Sequence, residues 1–226
     1  MTTSFDLDGP RFGPASGRAA QQLVVLLHGL GADGNDLISL APYFAQVLPD
    51  AAFVSPHAPF PCDMAPMGRQ WFSLQQRTPE AMLGGVRMTA PMLDAFLDAE
   101  LERHGLTPER LALVGFSQGT MMSLFVGLRR EVQIGAIVGY SGALLAPELL
   151  PAEITTRPPV LLVHGAADEV VPAQALPAAV AALEANQVPV TQELRPNLGH
   201  SIDEQGLQLA MSFLKTALTG APQAAD

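Results

Sequence analysis

Short apolar runs recur along the chain, and each is bounded by Gly, Pro or Asp. Most are apolar at successive positions rather than at every second one, which is typical of strands buried on both faces of a parallel sheet. This pattern predicts six strands, at residues 23–28, 51–55, 111–115, 134–140, 160–164 and 188–194.

The longer stretches between these runs carry apolar residues at the spacing of an amphipathic helix. They predict helices at residues 36–48, 87–104, 118–129, 173–187 and 203–218. Strand and helix therefore alternate, which predicts the α/β class with a mostly parallel central sheet, right-handed crossovers and helices on both faces. Ligands in such sheets bind beyond the carboxyl ends of the strands, so a site is expected in the loops that follow them.

Two parts of the chain do not follow the alternation. Residues 56–79 show no periodicity, and a loop of this length is uncommon unless it has a function. Its aromatic and methionine side chains are expected either to wall a pocket or to cover a sheet edge as a hydrophobic flap. Residues 220–226 are expected to be a frayed tail, which leaves a single domain over 1–226 with its core at about 23–218.

The composition and net charge of the chain limit the classes of binding partner that it is expected to have. The chain has 226 residues, of which 48% are hydrophobic and 15% charged, enough apolar material for one core. Lys and Arg number 12 against 22 Asp and Glu, which gives a formal net charge of −10. The basic surface on which binding to nucleic acid or anionic membrane depends is therefore missing, and neither partner is predicted.

The cysteine content and the hydropathy of the chain indicate in which cellular compartment the protein is expected. The single cysteine, Cys62, cannot form an internal disulfide or a cysteine-based zinc site, and no metal is predicted. Residues 1–22 lack the apolar core of a signal peptide, and no apolar run approaches the roughly 20 residues that cross a bilayer. The expectation is a cytoplasmic protein without stable membrane insertion.

The most informative motif is Gly115-Phe-Ser117-Gln-Gly119, a G-x-S-x-G sequence between a predicted strand and a predicted helix. In that context the two glycines let strand and helix approach closely around a strained serine, whose hydroxyl is presented at the carboxyl end of the sheet. A serine that only caps the helix is the alternative. The flanking elements favour the nucleophile elbow and make Ser117 the candidate nucleophile.

A serine attacks only when a base takes its proton, and that base is oriented by an acid. Hydrolases with this elbow carry the three residues in the order Ser, acid, His. His200 follows Ser117, and Asp168 is the only aspartate between them. We predict His200 as the base and Asp168 as the acid, with Glu169 as the rival acid.

Other polar residues at strand ends are predicted to be structural. His28 and His164 each end a strand before a glycine, where an imidazole usually hydrogen-bonds to a turn. Ser141 follows a strand but lacks the second glycine of the elbow at the right offset.

An oxyanion that develops during acyl transfer needs N–H donors held in place beforehand. One is the backbone N–H of Gln118, at the start of the helix after the elbow. The second is expected from Leu30, in the glycine-rich loop at 27–34. The spacing Gly29-x-Gly31-x-x-Gly34 also matches a dinucleotide fingerprint, but Ser55-Pro56 stands where its acidic residue is expected, so no nucleotide cofactor is predicted.

Together these motifs resemble the α/β-hydrolase family, in its branch of bacterial carboxylesterases, lysophospholipases and acyl-protein thioesterases. The matching segments follow the family's order over nearly the whole chain: LLHGLGADGND at 26–36, QWF at 70–72, GFSQG at 115–119, HGAADEVVP at 164–172 and GHS at 199–201. The resemblance implies a nearly lidless hydrolase without cofactor. It also implies roles for six residues: a triad of Ser117, Asp168 and His200, an oxyanion hole from Leu30 and Gln118, and an acyl groove near Trp71.

Two residues depart from the family pattern: Thr120 stands where a small Gly or Ala usually follows the elbow, and Ser73 where an aspartate often follows Trp-Phe. The predicted function is hydrolysis of small-molecule carboxylic esters through an acyl-enzyme, with thioesters and lysophospholipids as further candidate substrates. A non-catalytic ligand-binding protein on the same scaffold and an acyltransferase stay open as alternatives. The sequence also leaves open whether two copies form a homodimer.

Overall fold

A seven-stranded sheet forms the centre of the protein, in a computed structural model that describes residues 7–220. Its strands are β1 (Arg11–Phe12), β2 (Gln22–Leu27), β3 (Ala51–Val54), β6 (Leu111–Phe116), β7 (Ala136–Tyr140), β8 (Val160–Gly165) and β9 (Val190–Arg195), and a separate hairpin pairs β4 (Phe60–Pro61) with β5 (Arg69–Gln70). The spatial order in the sheet is β1-β3-β2-β6-β7-β8-β9. Strand β1 runs antiparallel to β3, and all other neighbours are parallel.

Helices cover both faces of this sheet, as the sequence predicted. They are α1 (Gly34–Leu37), α2 (Ala41–Phe44), α3 (Pro79–His104), α4 (Gln118–Gly127), α5 (Leu150–Glu153), α6 (Ala175–Ala185) and α7 (Glu204–Thr219). Alternate residues of β2 belong to two separate cores, Leu23, Val25 and Leu27 to one and Val24 and Leu26 to the other. The first core contains side chains of α3, α4 and α6, and the second contains those of α1, α2 and α7. The predicted α/β fold, with strands buried on both faces, is therefore confirmed.

The helix predicted from residue 87 begins earlier, at Pro79. The side chain of Thr78 caps it by accepting a hydrogen bond from Ala81 N at 3.2 Å, and proline suits the first turn because that turn needs no N–H donor. Gly85 has no apolar side chain and so adds nothing to a helical hydrophobic pattern. It nevertheless packs so closely on Phe72 that an added Cβ would lie 2.7 Å from the Phe72 Cβ. The first turns are thus held by a contact that hydropathy does not reveal.

The regions at 36–48 and 56–79 also differ from the prediction. Instead of one helix, the first contains α1, a 3₁₀ turn at Ile38–Leu40 and α2. The second is not featureless, because it contains the hairpin β4–β5. Like the missed edge strand β1, these strands are only two residues long, too short to carry an alternating pattern.

The carboxyl-terminal part of the described chain ends with α7. Gly220 ends that helix in the left-handed conformation, with φ 68°, and its N–H donates to Thr216 O. Residues 221–226 of the predicted frayed tail lie outside the described residues. Within 7–220, no helix is both long enough and apolar enough to span a membrane.

Candidate active site

Ser117 occupies a strained turn between β6 and α4. Its φ of 53° and ψ of −114° lie in a region that residues other than glycine rarely adopt, and its N–H donates to Tyr140 O at 2.9 Å. The glycines of the motif allow the close approach: a Cβ on Gly119 would lie 1.8 Å from Leu27 O, and one on Gly115 would lie 2.4 Å from Thr120 N. The structure therefore has the backbone geometry of the predicted nucleophile elbow.

Thr120, which departs from the family pattern, is accommodated by glycines on neighbouring segments. Its hydroxyl lies 2.9 Å from Gly115 O and 2.8 Å from Tyr140 O, and it can donate to either carbonyl. Its side chain fills the space beside Gly139 and Gly142, where an added Cβ would lie 2.5 Å and 2.3 Å from Thr120 carbon atoms. The extra volume at Thr120 is thus matched by the missing side chains of Gly139 in β7 and Gly142 just after it.

Asp168 and His200 are joined at the carboxyl edge of the sheet. Asp168 follows β8 and His200 follows β9, and the His200 Nδ1 lies 2.7 Å from Asp168 Oδ2. The other carboxylate oxygen, Oδ1, accepts the N–H groups of Val170 and Val171, each at 2.9 Å. Burial raises the pKa of Asp168, but the hydrogen bonds from His200 and these two amides outweigh it and hold the pKa below its usual value.

An ionised Asp168 determines the tautomer of His200. Because the carboxylate only accepts hydrogen bonds, the proton of a neutral His200 lies on Nδ1, and Nε2 keeps its lone pair. Nε2 is then the atom available to take a proton from a hydroxyl. The ring is also held by Phe116, whose centroid lies 4.9 Å from that of His200.

Ser117 and His200 both line one cavity of about 330 Å³. No hydrogen bond between Ser117 Oγ and His200 is recorded among the described residues; such bonds are often long before a substrate is bound. The remaining wall is mostly apolar and contains Gly29, Leu30, Leu74, Arg77, Met82, Phe116, Met121, Val170, Val171 and Pro172. Across residues 7–220, no three His, Cys, Asp or Glu side chains are grouped as metal ligands would be.

The two predicted oxyanion donors lie beside the nucleophile. Leu30 is on the cavity wall with Ser117, and no hydrogen bond from its N–H to another described residue is recorded. Gln118 is the first residue of α4, whose N–H has no partner within the helix. Both amides are therefore available to a ligand oxygen near Ser117.

The side chain of Gln118 has a role that the sequence reasoning missed. It is fully buried; its Oε1 accepts from Trp71 N at 2.9 Å and its Nε2 donates to Phe72 O at 2.7 Å. The indole N–H of Trp71 in turn donates to His28 O at 3.0 Å, within the glycine-rich loop at 27–34, which carries the second predicted donor and is called the oxyanion loop below. The carboxamide of Gln118 therefore links α4 to Trp71, the residue that is hydrogen-bonded to the loop of the second predicted donor.

The hairpin strengthens this link. Gly31 N donates to Arg69 O at 2.9 Å, and Arg69 N donates to Ala32 O at 2.8 Å, so the oxyanion loop pairs with the first residue of β5. A Cβ on Gly68 would lie 2.0 Å from Gly31 O, which shows how closely the two backbones approach. The only sequence signal for this contact was the unusual length of the segment at 56–79.

Trp71 corrects one prediction. The resemblance places the acyl groove near it, but the side chain is fully buried and is not among the residues that line the cavity. The indole instead packs beneath the oxyanion loop, where its N–H has His28 O as acceptor. Leu74 and Arg77, further along the same segment, line the cavity in its place.

The two remaining histidines at strand ends are buried. His28 Nε2 accepts from Ala58 N at 3.0 Å, so its Nδ1 carries the proton and donates to Gly29 O at 2.8 Å, while burial lowers its pKa. His164 lies beside the predicted acid: its Nε2 is 2.9 Å from Val171 O and 3.3 Å from Asp168 Oδ2. It therefore helps to hold the loop that carries the acid.

The rival residues lie away from this arrangement. Glu169 is exposed, and no hydrogen bond or ion pair of its side chain to another described residue is recorded, in contrast to Asp168. Ser141 is 1% exposed, which places its hydroxyl out of reach of a substrate. The geometry thus favours Ser117 and Asp168 over their nearest alternatives.

A test of the Gln118 link is the variant Gln118→Met, which keeps the size of the side chain and removes both hydrogen bonds. We expect kcat for an ester to fall by about 10- to 100-fold with little change in KM, because loosened oxyanion donors act on the transition state. The affinity for an alkylboronic acid, whose adduct places an oxygen among these donors, should fall in parallel.

Ser123→Ala is the matched control, since it removes a buried hydrogen bond, to Gly119 O at 2.9 Å, from the same helix. It should leave kcat within a few-fold of wild type. Equal losses in both variants would indicate a general effect of weakening α4 and would contradict the positioning role of Gln118.

Comparison with known proteins agrees with this geometry. The family model described as Phospholipase/Carboxylesterase matches residues 14–218. The chain is 31% identical to "Esterase YpfH" of Escherichia coli over 88% of this chain and 84% of that protein, and 28% identical to "Acyl-protein thioesterase 1" of Gibberella zeae over 86% and 90%. The crystal structure of esterase PE8 is similar at 43% identity and a TM-score of 0.90, over 94% of this chain and 100% of that one. The chain therefore belongs to the phospholipase/carboxylesterase family of α/β-hydrolases.

Proposed function

We propose that this protein hydrolyses carboxylic esters through an acyl-enzyme formed on Ser117. The observation that carries the proposal is that His200 lines the same cavity as Ser117 and has its Nδ1 held by Asp168 Oδ2 at 2.7 Å. Family membership supports the reaction class, because the relatives compared above are esterases and a thioesterase by name.

Acylation follows from these positions. His200 Nε2 takes the hydroxyl proton as Ser117 Oγ attacks the acyl carbonyl, and the carbonyl electrons move onto the oxygen. The N–H groups of Leu30 and Gln118 stabilise this oxyanion. As the ester C–O bond breaks, the imidazolium returns its proton to the leaving alkoxide, and the ionised Asp168 stabilises the imidazolium throughout.

Deacylation repeats the same steps with water. His200 takes a proton from a water molecule that attacks the acyl carbon, and the bond to Ser117 Oγ breaks as His200 returns the proton to it. The products are a carboxylic acid and the free enzyme. No step needs a metal or an organic cofactor.

The cavity supports short to medium acyl chains as substrates. A volume of about 330 Å³ lies at the small end of ligand pockets, and the apolar wall suits an alkyl chain better than a polar group. Thioesters share the acyl geometry, so they are candidate substrates beside oxygen esters.

Labelling with a fluorophosphonate tests the proposal, since an activated serine reacts quickly with it and an ordinary serine does not. We expect one label per chain, located at Ser117 by mass spectrometry, in a protein that also releases p-nitrophenol from p-nitrophenyl butanoate. Ser141→Ala serves as the control and should label like wild type.

Each alternative gives a different result in this experiment. A ligand-binding protein would bind the ester without labelling or turnover. An acyltransferase would label but would transfer the butanoyl group to an added alcohol in preference to water. Either result would overturn the proposal.

A further inference from the structure

Among the described residues, Arg77 is the only Arg, Lys, Asp or Glu that lines the cavity. It lies in the exposed segment between Phe72 and α3, directly before the helix cap Thr78. The side chains nearest to it in the lining by sequence, Leu74 and Met82, are apolar and offer it no hydrogen-bond acceptor. A guanidinium thus faces a cavity that is otherwise suited to an alkyl chain.

Arg77 also differs from every other arginine of the protein. Each of the other ten, all within residues 7–220, donates a hydrogen bond to a carboxylate or to a backbone carbonyl, as Arg69 does to Ala58 O at 2.8 Å. For Arg77 no ion pair or hydrogen bond to a described residue is recorded. Among the described residues, Arg77 is thus the one guanidinium without such a partner, and it lines the same cavity as Ser117.

Of the residues that the structure describes, no Asp or Glu lines the cavity to neutralise this charge. Asp168, the acid nearest to the reaction, has a fully buried side chain whose oxygens are bonded to His200 and to backbone amides. Guanidinium groups bind carboxylates and phosphates through paired N–H donors, and they do so best where no internal partner competes. The overall charge of −10 repels anions in general, so a local cation at the mouth would matter most for an anionic substrate.

We propose that Arg77 forms a subsite for an anionic group, a carboxylate or a phosphate, carried by the ester substrate. This inference rests on the proposed function and names its substrate class: acyl esters with a negative charge on the acyl chain or on the leaving group. The guanidinium binds that charge while the ester carbonyl lies at Ser117.

Three pairs of substrates, each matched except for one anionic group, test this subsite. The first pair is methyl hexanoate and monomethyl adipate, whose anionic member carries a carboxylate on the acyl chain. The second is phenyl butanoate and the butanoate ester of meta-hydroxybenzoate, whose carboxylate is on the leaving group. The third is butanoylglycerol and butanoylglycerol phosphate, whose leaving group carries a phosphate. The quantity measured is the ratio of kcat/KM for the anionic over the neutral member, in wild type and in Arg77→Gln.

For at least one pair we expect Arg77→Gln to lower this ratio by about 3- to 10-fold, the size expected of a charged contact partly open to water, and Arg77→Glu to lower it further. The pair that responds identifies the side of the ester and the kind of anion. Arg18→Gln is the control: it also removes one positive charge, but from a pair with Asp50, which lies directly before the amino end of β3, at the opposite edge of the sheet from Ser117. It should leave all three ratios unchanged.

Failure of the subsite is distinct from failure of the proposed function. If wild type hydrolyses the neutral esters and the ratios in Arg77→Gln stay within about twofold of wild type, the subsite is wrong and the esterase assignment stands. If wild type hydrolyses no ester of any pair and takes up no fluorophosphonate, the esterase assignment itself is wrong. Equal losses in Arg77→Gln and Arg18→Gln would indicate an effect of net charge alone and would also overturn the subsite.

Discussion

Ser117→Ala is expected to lower kcat for p-nitrophenyl butanoate by about 10⁴- to 10⁶-fold, because the acyl-enzyme can no longer form and only binding and the oxyanion donors remain to assist water. KM should stay within a few-fold of wild type, since the hydroxyl adds little to binding of the unreacted ester. The variant should also fold, because alanine keeps the Cβ that the turn at φ 53° already accommodates. Steady-state kinetics measures the loss.

Ser141→Ala is a close structural match for this experiment. Ser141 also has a positive φ, of 48°, and also follows a central parallel strand, but its hydroxyl is buried without a hydrogen-bond partner among the described residues. Its removal should leave kcat within a few-fold of wild type. Wild-type turnover by Ser117→Ala would exclude the proposed nucleophile whatever the behaviour of Ser141.

Asp168→Asn is expected to lower kcat by about 10⁴-fold through the tautomer of His200. The amides of Val170 and Val171 both donate to Oδ1, so the asparagine carbonyl stays with them and its NH₂ takes the place of Oδ2. That NH₂ faces His200 Nδ1 and donates to it, which moves the histidine proton to Nε2. The atom that should accept the serine proton is then already protonated.

The neighbouring carboxylate provides the control for this variant. Glu169→Gln removes the same charge one residue away, from an exposed side chain that has no recorded contact with His200, and kcat should change by less than about threefold. Fluorophosphonate labelling should slow in Asp168→Asn as much as kcat falls, because both reactions need a deprotonated serine. A loss of activity in Glu169→Gln larger than in Asp168→Asn would assign the acid to Glu169.

Several parts of this site could be predicted from the sequence because they follow from short-range geometry. A glycine on each side of Ser117 is required where an added Cβ would lie 1.8 Å or 2.4 Å from backbone atoms, so the motif and its turn occur together. Asp168 and His200 each follow a parallel strand, and strand ends of one sheet meet at one edge. Their contact was therefore foreseeable although 32 residues separate them.

Other parts depended on packing between distant segments. Trp71 is an aromatic residue of the kind that often lines pockets, yet it is buried, and its indole N–H donates to His28 O under the oxyanion loop. The carboxamide of Gln118 gains its role only where Trp71 and Phe72 present an N–H and a carbonyl to it, 47 and 46 residues away in the chain. No local pattern encodes such partners.

By itself, the sequence determined the α/β class, the six parallel strands and their alternation with helices, the elbow motif and the identity of the candidate nucleophile, base and acid. Hydrophobic periodicity and backbone sterics are local properties, and they are read directly from neighbouring residues. Only the tertiary structure decided that α3 begins at Pro79, that Trp71 supports the oxyanion loop, and that Arg77 lines the cavity with no partner among residues 7–220. These outcomes depend on which surfaces meet in the folded chain, and a polar or aromatic side chain is assigned to core, support or cavity by its neighbours in space.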